Sequence, residues 1–463
     1  MTTTATAPHR LWRNARYLTW LVSDTSKGLS AALFGFAIPL LALIVTNDPA
    51  QAGIIGGAGM VARLVFTLAG GILADRHPRI VLMLLGSLLG ILLSGAFTVL
   101  ASTDALTFGT LLAANVLLAA RSGLFDVAGE SALKELVPDD AMGRAQAANQ
   151  GRDAALQLAG GPLGGLLLGA GGWLVGVAMT VCHVVAAVTA GMLRGTGSPM
   201  AAAQNGDEDA AAERVADGPA VDARDGLGFP TELSAEAAAV AAPASAPAKT
   251  GAWAELREGF SWLLSRPDLG GVLLIITIIN LGFNAAITTT IYALQQAGYS
   301  ELLIGSLSAA VGAVMLVGAI VAPMLVPRFR AGVLAISGLS VAALGSAALA
   351  TVTEPWAIVV VLGASVLLLP ALNAGMMGYF MVATPTELLG RANSAAGVLG
   401  MGALPLAPLI AGFGLTWIGR EATILVCAAL CGVAVALALG NRALRALPVE
   451  SRWAEHAKQY ESA

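Results

Sequence analysis

The sequence predicts an all-α integral membrane protein with twelve transmembrane helices in two pseudo-symmetric six-helix bundles. Three observations predict it. The 463 residues are 57% hydrophobic and 12% charged, with a mean hydropathy of +0.77, whereas a soluble domain carries about 25% charge. Apolar runs long enough to cross roughly 30 Å of hydrocarbon recur along the chain. The two halves also share short polar segments at a fixed spacing.

The first six spans are expected at about 18–46, 52–74, 80–101, 106–133, 145–169 and 172–193. The second six are expected at about 269–295, 302–326, 332–351, 356–383, 392–416 and 422–441. Turn chemistry separates them: NDP at 47–49, STD at 102–104, GAGG at 169–172 and TEP at 353–355. Basic residues set the orientation. His9, Arg10, Arg13 and Arg16 precede span one, and Arg76 and Arg79 follow span two. Lys134 and Arg144 flank the fourth connection, Arg328 and Arg330 the eighth, and Arg391 precedes span eleven. Arg442, Arg445, Arg452 and Lys458 lie in the tail, while the other side holds only Arg420. Both tails, 1–17 and 442–463, are therefore expected in the cytoplasm, which requires an even number of spans.

Residues 194–252 divide the bundle at 18–193 from the bundle at 268–441. This segment is rich in Ala, Pro, Gly and acid and has no amphipathic period, so it reads as a disordered cytoplasmic linker. The stretch 253–267 follows, with Trp253, Leu256, Phe260, Leu263 and Leu264 at helical spacing; it reads as an amphipathic helix on the inner leaflet. The three cysteines all fall in apolar runs, and Cys427 and Cys431, one helical turn apart, are poorly placed for a disulfide. They read as packing residues. No cleavable signal peptide is visible.

The repeat is specific. PDDAMGRAQAA (138–148) precedes span five and PTELLGRANSAA (385–396) precedes span eleven, at an offset of 247 residues that also places Gly165 on Gly412. GGILADRHPR (70–79) after span two has a fainter copy in APMLVPRFR (322–330), where Arg76 falls on Arg328 and Pro327 replaces the aspartate. Two homologous six-helix halves are the construction of a parallel-repeat transporter, with the substrate site at their interface.

The stretch Gly71 to Arg79 resembles the loop between helices two and three of the major facilitator superfamily, whose pattern is Gly-x-x-x-Asp-Arg followed by a basic pair. Ile80 stands where the second basic residue would be. Span count, linker and repeat fit as well, so the resemblance covers essentially the whole chain. In finer detail the chain is similar to the exporter branch that contains the enterobactin exporter and actinobacterial multidrug exporters. The shared features are the arginine and GGxLADR of span two, the P…GRAxAAN before span five, and the W-x-E-L-x-E-G-F before span seven. The resemblance implies that Gly71, Asp75, Arg76 and Arg79 form a conformational latch. Gly70 and Gly71 would let helices approach, and Asp75 would face a helix N-terminus of the other half when the cytoplasmic side is shut.

Ionisable groups at membrane depth cost at least about 2.5–3.5 kcal/mol each, so they are functional candidates by default. Asp24 and Lys27 in span one are spaced to pair. Arg63 lies near the middle of span two. Arg121, Asp126 and Glu130 lie in span four, and Arg152 and Asp153 early in span five. Arg121 matches the basic residue that family exporters carry in helix four. Asp24, Arg121, Asp126 and Glu130 are the proton-coupling candidates, the alternative being a static buried network. Asp126 lies about 140° around the helix from Arg121, which makes Asp24 the expected partner of Arg121. Lys134, Arg152, Asp153 and His183 are given structural roles.

AGGPLGGLLLG (159–169) resembles the Gly-Pro motif of proton-coupled antiporters, though one residue rather than two separates Pro162 from the glycine pair. It makes Gly161, Pro162, Gly164 and Gly165 a hinge, or else ordinary small-residue packing. Asn280, Asn284, Asn373, Met376 and Tyr379 are the substrate-cavity candidates, with helix–helix hydrogen bonding open for each asparagine.

No phosphate-binding loop, metal-ligand spacing or nucleophile–base constellation occurs in the sequence. The expectation is a secondary active transporter, not an enzyme, with no catalytic residue, cofactor or metal. Its partners are a small-molecule substrate, protons and the lipid bilayer, with no nucleic acid, and the chain is expected to be a monomer. The resemblance implies proton-coupled export of amphipathic or hydrophobic small molecules from a bacterial inner membrane. An importer or uniporter, or a non-transporting sensor on this fold, is the alternative.

Overall fold

A computed structural model describes residues 11–137, 139–195, 252–266, 269–385 and 388–459, and all regular structure among them is helical. The expected linker lies outside the described residues, apart from its two ends. The first bundle contains α1 (Ala15–Thr46), α2 (Pro49–Arg76), α3 (Arg79–Ser102), α4 (Phe108–Leu136), α5 (Asp139–Ala170) and α6 (Gly172–Gly195). A short helix, α7 (Ala252–Ser265), leads into the second bundle. That bundle contains α8 (Gly270–Gln296), α9 (Glu301–Leu325), α10 (Ala331–Ala348), α11 (Pro355–Val366), α12 (Leu369–Ala383), α13 (Leu389–Gly402), α14 (Leu406–Trp417) and α15 (Gly419–Gly440). Two short tail helices follow, α16 (Arg442–Ala446) and α17 (Trp453–Lys458).

Spans ten and eleven are each two helices rather than one. Pro370 and Pro405 sit just past the ends of α11 and α13. A proline there supplies no N–H to the preceding turn and its ring crowds the carbonyl four residues back, so the helix restarts. Eleven segments among the described residues are long and apolar enough to cross a membrane, counting each of these pairs as one. The twelfth is α5, whose first half carries Arg144, Arg152 and Asp153 and is too polar to register by hydropathy alone. Helix α2 also runs further than expected, through Asp75 and Arg76. The connection is only His77 and Pro78.

Both ends of the described chain lie on one face. The Asn14 amide donates to the Leu136 carbonyl at 3.3 Å, tying the start of α1 to the end of α4. Helix α7 is seated on α13 rather than only on lipid. A Cβ at Gly259 would strike the Arg391 carbonyl, Glu258 pairs with Arg391 at 2.7 Å, and Leu263 is fully buried. The tail docks on the same face: Trp453 is buried against Gly378 of α12, and the Pro448 carbonyl accepts from the Ala331 N–H that opens α10.

On the other face the two bundles meet along two seams. In the first, α2 meets α14: a Cβ at Gly53 would strike the Pro408 carbonyl and sit 3.2 Å from Gly412 Cα, and one at Gly412 would strike the Pro49 carbonyl. In the second, α5 meets α9: a Cβ at Gly305 would strike the Gly161 carbonyl, and one at Gly165 the Glu301 carbonyl. The spacing that relates Arg76 to Arg328 relates Pro49 and Gly53 to Glu301 and Gly305. The 247-residue offset relates Gly161 and Gly165 to Pro408 and Gly412. The seams are thus one contact used twice, and only glycine lets the backbones come so close. Arg420, the lone basic residue on this face among the described residues, donates to the Leu349 carbonyl at 2.8 Å and to Val352 O, filling acceptors left open where α10 ends.

Candidate functional site

Six of the intramembrane charges form two groups in the first bundle. In the group nearer the terminal face, Asp24 is held by two cations, Lys27 Nζ at 3.0 Å and Arg152 Nη1 at 2.9 Å. Arg152 also grips Asp153 at 2.8 Å and lies over the Trp20 ring, whose Nε1 donates to the Gly129 carbonyl. Gly129 leaves room for the pair: a Cβ there would sit 2.6 Å from both Asp24 Oδ1 and Lys27 Nζ. This group ties α1, α4 and α5 together.

The second group lines a cavity. Arg121 Nη2 meets Asp126 Oδ1 at 2.8 Å, and the Ser122 hydroxyl donates to Asp126 Oδ2. Arg121 Nη1 also donates to His183 Nε2 at 3.1 Å, and Ser30 Oγ lies 3.0 Å from the same nitrogen. A guanidinium only donates, so Nε2 is an acceptor and the proton of a neutral His183 sits on Nδ1. Arg121 is 6% exposed and Asp126 34%, so both reach the cavity wall and the acid is the more open of the two. The cavity, about 180 Å³, is also lined by Phe34, Ile38, Met60, Arg63, Asn115, Leu118 and Met179.

Asp126, not Asp24, is therefore the partner of Arg121. The 140° between their Cα directions is bridged by the long arginine side chain, and Ser122, one turn before Asp126, holds the carboxylate toward it. His183, given a packing role from its place in span six, sits inside the network and is 1% exposed. Asn115 was not singled out either; its amide donates to the Ile55 carbonyl of α2 at 2.6 Å. A polar residue in an apolar run was the available signal. Glu130 is exposed and outside the cavity lining.

The second-bundle candidates divide. Asn373 and Met376 line an apolar cavity of about 500 Å³ with Met377, Phe380, Asn393 and Met401. Tyr379 does not join them: it is fully buried, and its hydroxyl lies 3.0 Å from His456 Nδ1 in the docked tail. Register placed it one turn from Met376, but the tail covers that side. Asn280 donates to the Gly400 carbonyl of α13 at 3.3 Å, and Asn284 donates back to Asn280 O at 2.8 Å.

The latch residues are spread out in this state. Gly70 packs on the α4 backbone, where a Cβ would sit 2.8 Å from Leu124 O. Gly71 faces open space, contrary to the expectation that both glycines bring helices together. Arg76 is exposed, and Arg79 Nη1 donates to Ser131 O at 2.9 Å. The Asp75 side chain lies outside the described residues. Gly161 and Gly165 lie in the α5–α9 seam, Gly164 packs on Phe36, and α5 runs unbroken through Pro162.

Residues 25–408 match the family described as Major Facilitator Superfamily. The chain belongs to that superfamily. Solved structures from it or close to it in fold include a bacterial homologue of the iron transporter ferroportin in an inward-facing state, at 14% identity and TM-score 0.65. That alignment covers 91% of this chain and 97% of the other. A bacterial homologue of the human lysosomal transporter Spinster, inward-facing and unoccupied, aligns at 14% identity and TM-score 0.58 over 97% and 98% of the two chains. A D-xylose–proton symporter aligns at 14% identity and TM-score 0.60 over 94% and 98%. At these identities the likeness is one of fold. No curated protein sequence matches the chain. This superfamily member is thus a multi-pass membrane transporter whose facilitator fold places a charged cavity in one bundle and an apolar one in the other.

Proposed function

We propose that the chain exports amphipathic or hydrophobic small molecules by proton-coupled alternating access, as the branch it resembles does. The observation that carries this reading is the Arg121–Asp126 pair on the wall of the cavity, with the acid accessible and the base buried. Transport reads proton concentration where a carboxylate can exchange protons with the cavity and its charge state alters a buried partner. Protonating Asp126 removes the charge that offsets Arg121. Arg121 must then rely on His183 and on whatever the cavity holds. A substrate donor that reaches Asp126 competes with that proton, and this competition is antiport.

Asp24 is less suited, since two cations hold it and it is only 12% exposed. The closed seams support a state open toward the terminal face. The excess of Arg and Lys on that face supports placing it in the cytoplasm of a bacterial cell membrane. Asp75, Arg76 and Arg79 would form the latch once that face closes.

The test is transport in everted membrane vesicles energised by respiration. Hydrophobic dyes and drugs are screened for accumulation and for dissipation of the pH gradient. Wild type should show both for the same compounds, and Asp126→Asn should abolish the proton signal. Accumulation without any proton movement would exclude proton coupling; efflux from energised vesicles would exclude export.

A further inference from the structure

Arg63 stands apart from the other charges on the cavity wall and from the buried cluster beside them. Asp24, Lys27, Arg121, Asp126 and Arg152 all have ion-pair partners. Among the described residues no hydrogen bond or ion pair reaches the Arg63 guanidinium. It lies at the middle of α2, its side chain is exposed, and it lines the same cavity as Arg121 and Asp126. A cation at that depth without a partner carries the insertion cost of at least about 2.5 kcal/mol. Asp126 acts on it through space across the cavity, but that acid is already held by Arg121 and Ser122.

The rest of the wall says what would. Two guanidinium groups face one carboxylate, His183 is an acceptor at Nε2, and the remaining surface is mostly apolar: Phe34, Ile38, Leu118, Met60 and Met179. Lipophilic cations are disfavoured there. A carboxylate is the natural complement of a free guanidinium, because two parallel N–H donors match its two oxygens. Asp126 is taken on one oxygen by Arg121 and on the other by Ser122, yet it keeps lone pairs and remains partly exposed. It can accept from a donor on the ligand. At about 180 Å³ the cavity is smaller than the roughly 300–1,000 Å³ of a drug-sized pocket. It would hold a head group and an adjoining ring, leaving any larger body in the space between the bundles.

We propose that Arg63 recognises an anionic group on the substrate, and that the preferred class is amphipathic molecules bearing a carboxylate beside a hydrogen-bond donor, zwitterions included. The proposal rests on the export reading only for the word substrate. A donor on Asp126 is what competes with the coupling proton, and the anion on Arg63 gives the selectivity.

Binding separates the two claims, because it needs neither a gradient nor a direction. The protein in lipid nanodiscs is titrated with three ligands sharing one ring: 3-(1-naphthyl)alanine, 1-naphthaleneacetate and 1-naphthylmethylamine. The zwitterion should bind best, the anion next and the cation least. Arg63→Gln should weaken the first two about tenfold or more, the effect of losing one charge-assisted hydrogen bond, and leave the cation unchanged or improved. Arg63→Lys should restore part of the preference, showing that the site is folded and reads charge. Asp126→Asn should erase the advantage of the zwitterion over the anion. A wild-type protein that binds the amine as well as the acetate, or acetate binding that survives Arg63→Gln, overturns the proposal. Failure of proton-driven transport in vesicles, with the charge preference intact, would instead refute the export reading alone.

Discussion

Asp24 and Asp126 are both carboxylates at membrane depth on the first bundle, and their surroundings give them different work. Asp24 sits between Lys27 and Arg152 and joins three helices, so Asp24→Asn leaves the buried Lys27 without its counter-charge and Arg152 with only Asp153. Removing one partner of a buried pair costs about 3–5 kcal/mol. Purified Asp24→Asn should therefore lose thermal stability while whatever protein survives still couples. Asp126→Asn should lose less stability, because the acid is partly exposed and an asparagine oxygen can still accept from Arg121, and should lose the pH dependence of transport. Paired melting curves and pH profiles decide between them; a reversed pattern would move coupling to Asp24. The sequence showed that these groups mattered but not how they pair. Helical spacing gave Asp24 with Lys27 correctly. It misjudged Arg121 with Asp126, because an angle between Cα directions ignores the reach of arginine and the pull of Ser122. His183 was out of reach for a different reason: only the packing of α6 on α1 and α3 brings its ring to Ser30 and within reach of Arg121.

Helices were more legible than contacts, since each is written in its own local sequence. The apolar runs, the turn chemistry between them and the repeat at Gly143–Arg144–Ala145 and Gly390–Arg391–Ala392 are all local signals. The same is true of the breaks at Pro370 and Pro405, although the apolar runs continue across both. Tyr379 and the seams could not be read that way, because each depends on what lies across from it. The seams make a prediction at this scale. Gly53→Ala or Gly305→Ala puts a methyl group against an opposing carbonyl that cannot rotate away, so the face away from the termini should part. Gly95→Ala, where nothing lies within 4 Å, is the control. Cysteines introduced along α1 in the upper cavity wall, beside Ile38, should become reactive to impermeant reagents from that face in the first two variants and stay protected in the third. Equal protection in all three would mean that the seams are slack.

For the whole molecule, the two bundles are joined by residues 194–252, a segment with neither an apolar period nor a regular charge pattern. A tether needs only length. Replacing residues 200–245 with a Gly/Ser sequence of equal length should leave transport rates within about twofold of wild type, since flexible linkers of one length span similar distances. Normal expression with lost transport would show that the acidic stretch regulates the transporter or binds a partner.

The doubled seam bears on leakage. Every group that makes the seal between Gly53 and Gly412, and between Gly305 and Gly165, is a backbone carbonyl, a glycine or a proline; Glu301 takes part through its carbonyl. None of these titrates; the Glu301 carboxylate lies one turn further along α5, beside Gly169. The charged network proposed to answer to protons lies elsewhere, on the cavity wall. Acidifying the outer medium therefore should not loosen the closed face. An idle transporter of this build would hold its gradient as the external pH falls, and would lose it only when the cavity changes which side it serves.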